Sequence, residues 1–147
     1  MSEENKELVR RYQEAYNTGD LDVLDTILAP DWVTNAWPEG IPQSIENAKA
    51  GHRMALEVFP DYHCTIENLI AEGNWVVQRW TARGTHKGEL LGLPPTGRLV
   101  QFAGISMFRI ADGRIVQHLA YGDELGFLEQ IGAEVPATWD LLRHRST

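Results

Sequence analysis

Asp123 is the residue whose type and position in this sequence best fit acid–base chemistry. It stands where a predicted strand passes into a predicted helix, within the segment HLAYGDELGFLEQIG. An aspartate at a helix N-terminus commonly caps the helix by accepting a backbone N–H. A carboxylate that points into an apolar pocket can instead act as a general base, because apolar surroundings favour proton uptake near neutral pH. Both interpretations stay open, and the second makes Asp123 a candidate catalytic residue.

Two histidines are further catalytic candidates. His52 interrupts the otherwise apolar face of a predicted helix, so it is either a hydrogen-bonded core histidine or a polar group on the wall of a pocket. His118 lies on the predicted strand that leads to Asp123, but side chains alternate between the faces of a strand. A regular strand therefore points His118 and Asp123 to opposite faces, unless a bulge near Gly122 breaks the alternation.

Aromatic residues predict a pocket for a flat apolar ligand. Most of the aromatic set is better explained as ordinary core, but Tyr16 and Trp32 lie nearest to the predicted seam between helices and sheet. The set consists of Tyr12, Tyr16, Trp32, Trp37 and Trp80. His86 follows Gly84-Thr85 in a loop, where hydrogen bonding to nearby backbone is the stronger alternative. The predicted substrate-binding residues are Tyr16, Trp32, Asn35, Trp37, Arg79, His86, Phe108 and Tyr121.

Common sequence motifs for cofactors, metals and nucleophilic catalysis do not occur in the sequence. It lacks GxGxxG after a strand, GxxxxGK[ST], HExxH, CxxC and GxSxG. The five histidines show no metal-ligand spacing, and Cys64 is the single cysteine. If the protein is an enzyme, we expect it to work without a cofactor or a metal.

Composition excludes several classes of function. The 147 residues carry 13 basic and 21 acidic side chains, and the resulting net charge of -8 would repel a nucleic-acid backbone. Apolar and charged fractions of 43% and 23% are ordinary for a globular domain. No apolar run approaches the roughly 20 residues that span a bilayer. With one cysteine and no visible signal peptide, we expect a cytoplasmic location.

The elements that must position these residues follow from hydrophobic periodicity. Helical spacing predicts helices over 2–19, 20–30 and 44–60, with Asp20 and Ser44 as caps of the second and third. After the third helix the period changes to two. Strands are predicted from Trp32 onward and at about 62–71, 74–84, 98–110 and 114–122.

Helices followed by long strands predict an α+β fold. We expect a cone-shaped, curved, antiparallel or mixed sheet wrapped around the N-terminal helices, with a single buried pocket between them. A short helix is predicted at 124–131, and the tail can add one helical turn around Trp139. The chain is interpreted as one domain, 1–147, with its core at about 5–132 and a C-terminal extension at 133–147.

These segments resemble the SnoaL-like polyketide cyclases, a family whose cone-shaped fold is shared with nuclear transport factor 2 and ketosteroid isomerase. The resemblance covers most of residues 5–132, and its more specific elements are FPD, GTH-G-PPTG and D-LGFL-Q-IG. The matching segments are YQEAYNTGDLDVLDTILAPDWV, FPDY at 59–62, AEGNWVVQRWTARGTHKGELLGLPPTG at 71–97 and FAGISMFRIADGRIVQHLAYGDELGFLEQIG at 102–132.

The resemblance implies an intramolecular aldol closure without cofactor or Schiff base. Asp123 matches the family's catalytic aspartate, which removes a proton from a carbon α to a carbonyl. Tyr16, His52 or a backbone N–H would stabilise the enolate. The family's histidine on the preceding strand has no counterpart in the segment ISMFRI.

Several alternatives share this fold. Isomerisation or dehydration could use the same base, and hydrolysis of an epoxide would require a second acid and an arginine, for which Arg79 is the candidate. A non-catalytic module that binds a hydrophobic ligand and a structural oligomerisation domain are further alternatives. The expected partners are a small hydrophobic, carbonyl-bearing substrate and further copies of the chain, as a homodimer or homotetramer through the outer face of the sheet.

Overall fold

The computed structural model of the protein describes residues 2–134. The helices are α1 (Ser2–Thr18), α2 (Leu24–Ile27), α3 (Ile45–Val58) and α4 (Glu124–Gln130). The strands are β1 (Leu28–Thr34), β2 (His63–Glu72), β3 (Trp75–Thr85), β4 (Leu99–Ala111) and β5 (Arg114–Gly122). They form one curved mixed sheet in the order β1-β5-β4-β3-β2, in which only the β1–β5 pairing is parallel. The predicted α+β fold is confirmed.

Local signals in the sequence account for most of the element boundaries. Gly19 follows α1 with a φ of 80°, a left-handed conformation that glycine adopts without strain. The Ser44 hydroxyl accepts the backbone N–H of Asn47 at 3.0 Å and caps α3, as predicted. The tail beyond residue 134, including the turn expected around Trp139, lies outside the described residues.

The second predicted helix is wrong in length and in its cap. The Asp20 side chain makes no capping hydrogen bond, and the segment forms a short 3-10 turn followed by the four-residue α2. Leu28 already belongs to β1, four residues earlier than the predicted strand at Trp32. Leu28 and Trp32 are both buried, so packing of this segment against the core overrides its helical spacing.

The core lies between α1, the β1 region and the concave face of the sheet. The α1 residues Leu8, Val9, Tyr12 and Ala15 are buried against it. The Asn17 side-chain amide joins α1 to β2, since it accepts the N–H of Cys64 at 2.9 Å and donates to the Cys64 carbonyl at 2.8 Å. This pair of bonds fixes the helix relative to the sheet wall that it faces.

Side-chain alternation divides the sheet into a concave face and an outer face. On β3 and β4, and on β5 from Gln117 onward, the even-numbered residues face the helices and the odd-numbered residues face outward, whereas a register shift before Gln117 turns Ile115 into the core. Gln78 and Ser106 are buried on the concave face, whereas Arg79, Ile105 and Tyr121 are exposed on the outer one. The register places Gln78, Ser106 and Ala120 in one row across three strands.

The FPD and GTH motifs have structural roles. The Asp61 carboxylate accepts the Thr85 N–H at 2.6 Å and the Thr85 hydroxyl at 2.7 Å, which ties the end of α3 to the end of β3. These bonds hold the pKa of the Asp61 carboxyl below its usual value. Gly84 is required because a Cβ there would lie 2.8 Å from Phe59. His86 is fully buried and its Nδ1 lies 3.0 Å from Thr96 Oγ1, so it stabilises the loop.

No helix within residues 2–134 is long and apolar enough to cross a membrane.

Candidate active site

A cavity of about 460 Å³ lies between α1, α3 and the concave face of the sheet. Its wall is largely aromatic, and its polar side chains include three tyrosines, two histidines, two glutamines, Cys64 and Ser106. No aspartate, glutamate, lysine or arginine is among the residues that line it within the described part of the chain. The cavity can therefore take a flat apolar molecule that carries hydrogen-bonding groups.

Five of the predicted site residues meet at this cavity: His52, His118, Tyr16, Trp32 and Trp37. The two tryptophans pack edge to face at 5.4 Å between ring centroids. The Trp32 indole N–H is buried and has no acceptor among residues 2–134, which leaves it unpaired in the wall.

Asp123 lies outside the cavity lining. Its side chain is exposed, and Oδ1 accepts the backbone N–H of Gly126 at 3.0 Å, so it caps α4. Asp123 follows the end of β5 as the N-cap of α4, so alternation along β5 does not decide where its side chain points. The cavity, however, is on the His118 face, so the residue expected to face away is the one that lines it.

Alternation along the strands explains why two other predicted residues do not line the cavity. Arg79 is on the outer face, where its Nε donates to Asn68 Oδ1 at 2.8 Å. Tyr121 is 61% exposed on the same face.

Asn35, His86 and Phe108 are the remaining residues that the cavity does not include. The Asn35 side chain accepts the Ala120 N–H at 2.7 Å and pins the β1–α3 loop to β5. Phe108 is fully buried behind His118, against which it stacks at 4.9 Å between centroids. His86 belongs to the loop already described. These three residues therefore support the structure around the cavity and do not line it.

His52 has a defined proton arrangement. Its Nε2 lies 2.9 Å from the backbone carbonyl of Tyr16. A carbonyl only accepts, so Nε2 carries the hydrogen and Nδ1 carries the lone pair of the neutral ring. No hydrogen-bond partner of Nδ1 is found within residues 2–134, and Nδ1 is not among the buried unpartnered atoms. Burial lowers the pKa of His52, against a smaller opposite effect of the Tyr16 carbonyl.

His118 belongs to a hydrogen-bonded chain on the opposite wall. Its Nδ1 lies 3.1 Å from Thr34 Oγ1, and its Nε2 lies 3.3 Å from Ser106 Oγ. Burial lowers the pKa of His118 to about 4, so the ring is neutral at neutral pH. Sequence reasoning missed Thr34 and Ser106, although the even position of Ser106 on β4 was a usable signal.

The tyrosines on the wall remain protonated. Burial raises the pKa of Tyr12, Tyr16 and Tyr62, so each phenol keeps its proton and can donate it. The rings of Tyr12 and Tyr16 pack edge to face at 4.8 Å. The cavity therefore offers neutral donors and a neutral imidazole base.

A second concavity lies on the outside of the molecule, apart from the pocket between the helices and the sheet. It measures about 690 Å³ and lies outside the cone, between the first turns of α1 and the tight turns that join β2 to β3 and β4 to β5. Its rim includes Glu4, Glu7, Arg11 and Asp112. Within residues 2–134 no three histidine, cysteine or acidic side chains are grouped so that they could hold a metal ion.

Comparisons with known proteins agree with this architecture. The family model for SnoaL-like polyketide cyclases matches residues 6–131. The chain is 32% identical over 135 residues to the aklanonic acid methyl ester cyclase DauD of Streptomyces sp. (strain C5), covering 88% of this chain and 83% of that protein. It is 33% identical over 124 residues to the nogalonic acid methyl ester cyclase of Streptomyces nogalater, covering 83% and 92%.

Solved structures extend the agreement to three dimensions. TsrD from Streptomyces laurentii superposes with a TM-score of 0.82 at 31% identity, covering 91% of this chain and 98% of that one. IdmH from Streptomyces antibioticus superposes with a TM-score of 0.77 at 34% identity, covering 88% and 99%. The match over nearly the whole described chain shows that the protein is an enzyme of the SnoaL-like polyketide cyclase family.

Proposed function

We propose that the protein catalyses an intramolecular aldol cyclisation of a flat, hydrophobic, polyketide-type substrate, with His52 as the general base. The observation that supports this is the Nδ1 lone pair of His52, which has no partner within residues 2–134, beside an aromatic cavity that no charged side chain of these residues lines. The test is incubation with a tricyclic aromatic β-keto ester that carries a second carbonyl. Formation of an isomeric product of unchanged mass, and faster exchange of the α-hydrogen with deuterated solvent, would support the proposal. A rate equal to the uncatalysed one for both processes would refute it.

The proposed steps conserve protons. Nδ1 of neutral His52 accepts a proton from the carbon between two carbonyls. The electron pair of the broken C–H bond stays on the substrate and forms the enolate. The enolate carbon attacks the second carbonyl of the same molecule, which forms one C–C bond and an alkoxide. The alkoxide recovers the proton from the imidazolium, so the product is a β-hydroxy ketone and His52 is neutral again. The Tyr16 carbonyl stabilises the imidazolium through its bond to Nε2.

Asp123 is the alternative base. Gly122 pairs with Gly104, and the Trp80 ring of the cavity wall lies over Gly104, so Asp123 lies near the rim. To act, its carboxylate would have to leave the Gly126 N–H that it now caps. This cost is absent for His52, which favours the histidine. Epoxide hydrolysis is not supported, because neither Arg79 nor any carboxylate of residues 2–134 lines the cavity.

An uncharged substrate is expected to bind much better than its carboxylate counterpart. Among the described residues, no lysine or arginine lines the cavity, and the histidines and tyrosines on its wall are neutral at neutral pH. A buried carboxylate without a partner costs several kcal/mol. We therefore expect methyl anthraquinone-2-carboxylate to bind at least about tenfold more tightly than anthraquinone-2-carboxylate at pH 7.5. Calorimetric titration measures both affinities, and equal affinities would contradict the prediction.

Further copies of the chain are the proposed macromolecular partner, through the outer face of the sheet. Ile105 and Tyr121 are register partners there, and they are 45% and 61% exposed. Light scattering should give a mass of two or four chains for the native protein. Ile105→Asp should reduce the mass to that of one chain, because a buried charge in an apolar interface is unfavourable. Met54→Asp, at an exposed position on α3, is the control and should leave the mass unchanged. A monomeric native protein would refute the proposal.

A further inference from the structure

Ser106 stands in a chain of four hydrogen-bonded groups on the cavity wall. The Trp80 indole N–H donates to Ser106 Oγ at 2.9 Å, and His118 Nε2 lies 3.3 Å from the same oxygen. On the other side of the imidazole, His118 Nδ1 lies 3.1 Å from Thr34 Oγ1, which also accepts the Ala36 N–H at 3.0 Å. The two outer donors, an indole and a backbone amide, cannot reverse their direction.

Along this hydrogen-bonded chain, only two arrangements of the protons leave the His118 ring neutral with both of its nitrogens hydrogen-bonded. In the first, Nδ1–H donates to Thr34 and the Ser106 hydroxyl donates to Nε2. The Thr34 proton is then left without an acceptor among the described residues. In the second, the Thr34 hydroxyl donates to Nδ1 and Nε2–H donates to Ser106. The Ser106 proton is then the one without an acceptor within residues 2–134.

Burial distinguishes the two arrangements. Thr34 is buried and does not line the cavity, so an unpaired proton there would be desolvated without compensation. Ser106 lines the cavity, so its proton can bond to a ligand or to water inside it. In the second arrangement both acceptor sites of Ser106 Oγ are filled, by Trp80 and His118. The hydroxyl can then only donate, and the direction left for it is toward the cavity.

We infer that Ser106 is the hydrogen-bond donor that holds a carbonyl oxygen of the ligand, and that Trp80 and His118 fix its proton in the cavity. The inference deepens the proposed function, on which it rests for the carbonyl-bearing class of substrate. Ser106 contacts the substrate directly, whereas Trp80, His118 and Thr34 are positioning residues. Gly104 makes this possible, because a Cβ there would lie 2.5 Å from the Trp80 ring that delivers the indole N–H.

The tautomer of His118 is the first test. Nitrogen-15 NMR of the labelled native protein at pH 7.5 distinguishes a protonated ring nitrogen from an unprotonated one, and the spectrum of His118→Gln assigns the signals. The inference requires a proton on Nε2 and none on Nδ1 of His118. A proton on Nδ1 would overturn it, because Ser106 would then donate to the histidine and not to the ligand. The measurement needs neither substrate nor turnover.

Ligand binding is the second test, with 9-fluorenone and fluorene as probes that differ in the carbonyl. Ser106→Ala should weaken fluorenone binding about 5- to 10-fold and leave fluorene binding unchanged, as expected for loss of one hydrogen bond. Ser106→Thr, which keeps the hydroxyl, should restore part of the preference for fluorenone. An equal loss for both probes would mean that Ser106 acts by packing and would overturn the inference. The inference would also be overturned if Ser106→Ala left the affinity for fluorenone unchanged. If neither probe binds the native protein, the tautomer of His118 decides alone. Both tests remain informative if the cyclase proposal fails, since neither depends on reaction.

Discussion

His52→Gln is expected to lower kcat for cyclisation by about 10²- to 10⁴-fold, the usual contribution of a general base. The glutamine side-chain amide can still donate to the Tyr16 carbonyl, as His52 Nε2 does at 2.9 Å, but it has no basic lone pair in place of Nδ1. The fold should therefore persist while proton removal fails. Steady-state kinetics together with the melting temperature of each protein measure both effects.

Asp123→Asn is the matched variant for the rival base. Asparagine caps a helix about as well as aspartate, so the bond to the Gly126 N–H should survive and kcat should stay within about threefold of the native value. A loss of activity in Asp123→Asn with normal activity in His52→Gln would place the base at the rim and refute the assignment to His52. The native rate should also fall in acid, with an inflection below 6.5, because only the neutral imidazole accepts a proton and burial lowers the pKa of His52.

The helices and strands could be predicted from the sequence because periodicity and caps are local. The Ser44 cap and the glycine after α1 fall where their residue types predict them. The segment at 24–34 could not be predicted in this way. Its apolar residues fit a helix as well as a strand, and the choice depends on parallel pairing with β5, whose residues are more than 80 positions away.

Alternation in a strand predicts which residues share a face of the sheet, but not which face is inside. The inner face is decided by where α1 and α3 pack, which is a property of the whole chain. The aspartate followed by an apolar helix also had a purely structural explanation, helix capping, and the structure shows that bond. The FPD and GTH motifs did not identify catalytic residues either, because Asp61 and Thr85 bind each other and join α3 to β3.

The chain of Thr34, His118 and Ser106 was beyond sequence reasoning for a related reason. Thr34 and His118 are 84 positions apart, and they become neighbours only through the β1–β5 register. Ser106 was visible at the position where the family's histidine was sought, yet its role depends on donors from two other strands. A site assembled from cross-strand neighbours can be read from the sequence only after the register is known.

Acid is expected to destabilise the folded protein through His118 by about 3 kcal/mol between neutral pH and pH 4. Burial lowers the pKa of His118 from the ordinary 6.5 to about 4, so the unfolded chain binds a proton more tightly than the folded protein does. The stability that this histidine contributes is therefore fully present above pH 6.5. It is lost progressively as the pH falls from 6.5 to 4, and it changes little below that.

Urea unfolding at several pH values measures this effect as a change in the free energy of unfolding. Carboxylates also titrate in the same range. The quantity to compare between proteins is therefore the change in the free energy of unfolding from pH 7 to pH 4. His118→Gln should show a smaller decrease in stability from pH 7 to pH 4 than the native protein, by about 3 kcal/mol, whatever its absolute stability. His63→Gln, at an exposed position at the start of β2, is the control for replacing a histidine by glutamine. If His118→Gln showed the same decrease as the native protein, His118 would not be buried as a neutral group, and the proton arrangement that directs Ser106 into the cavity would lose its basis.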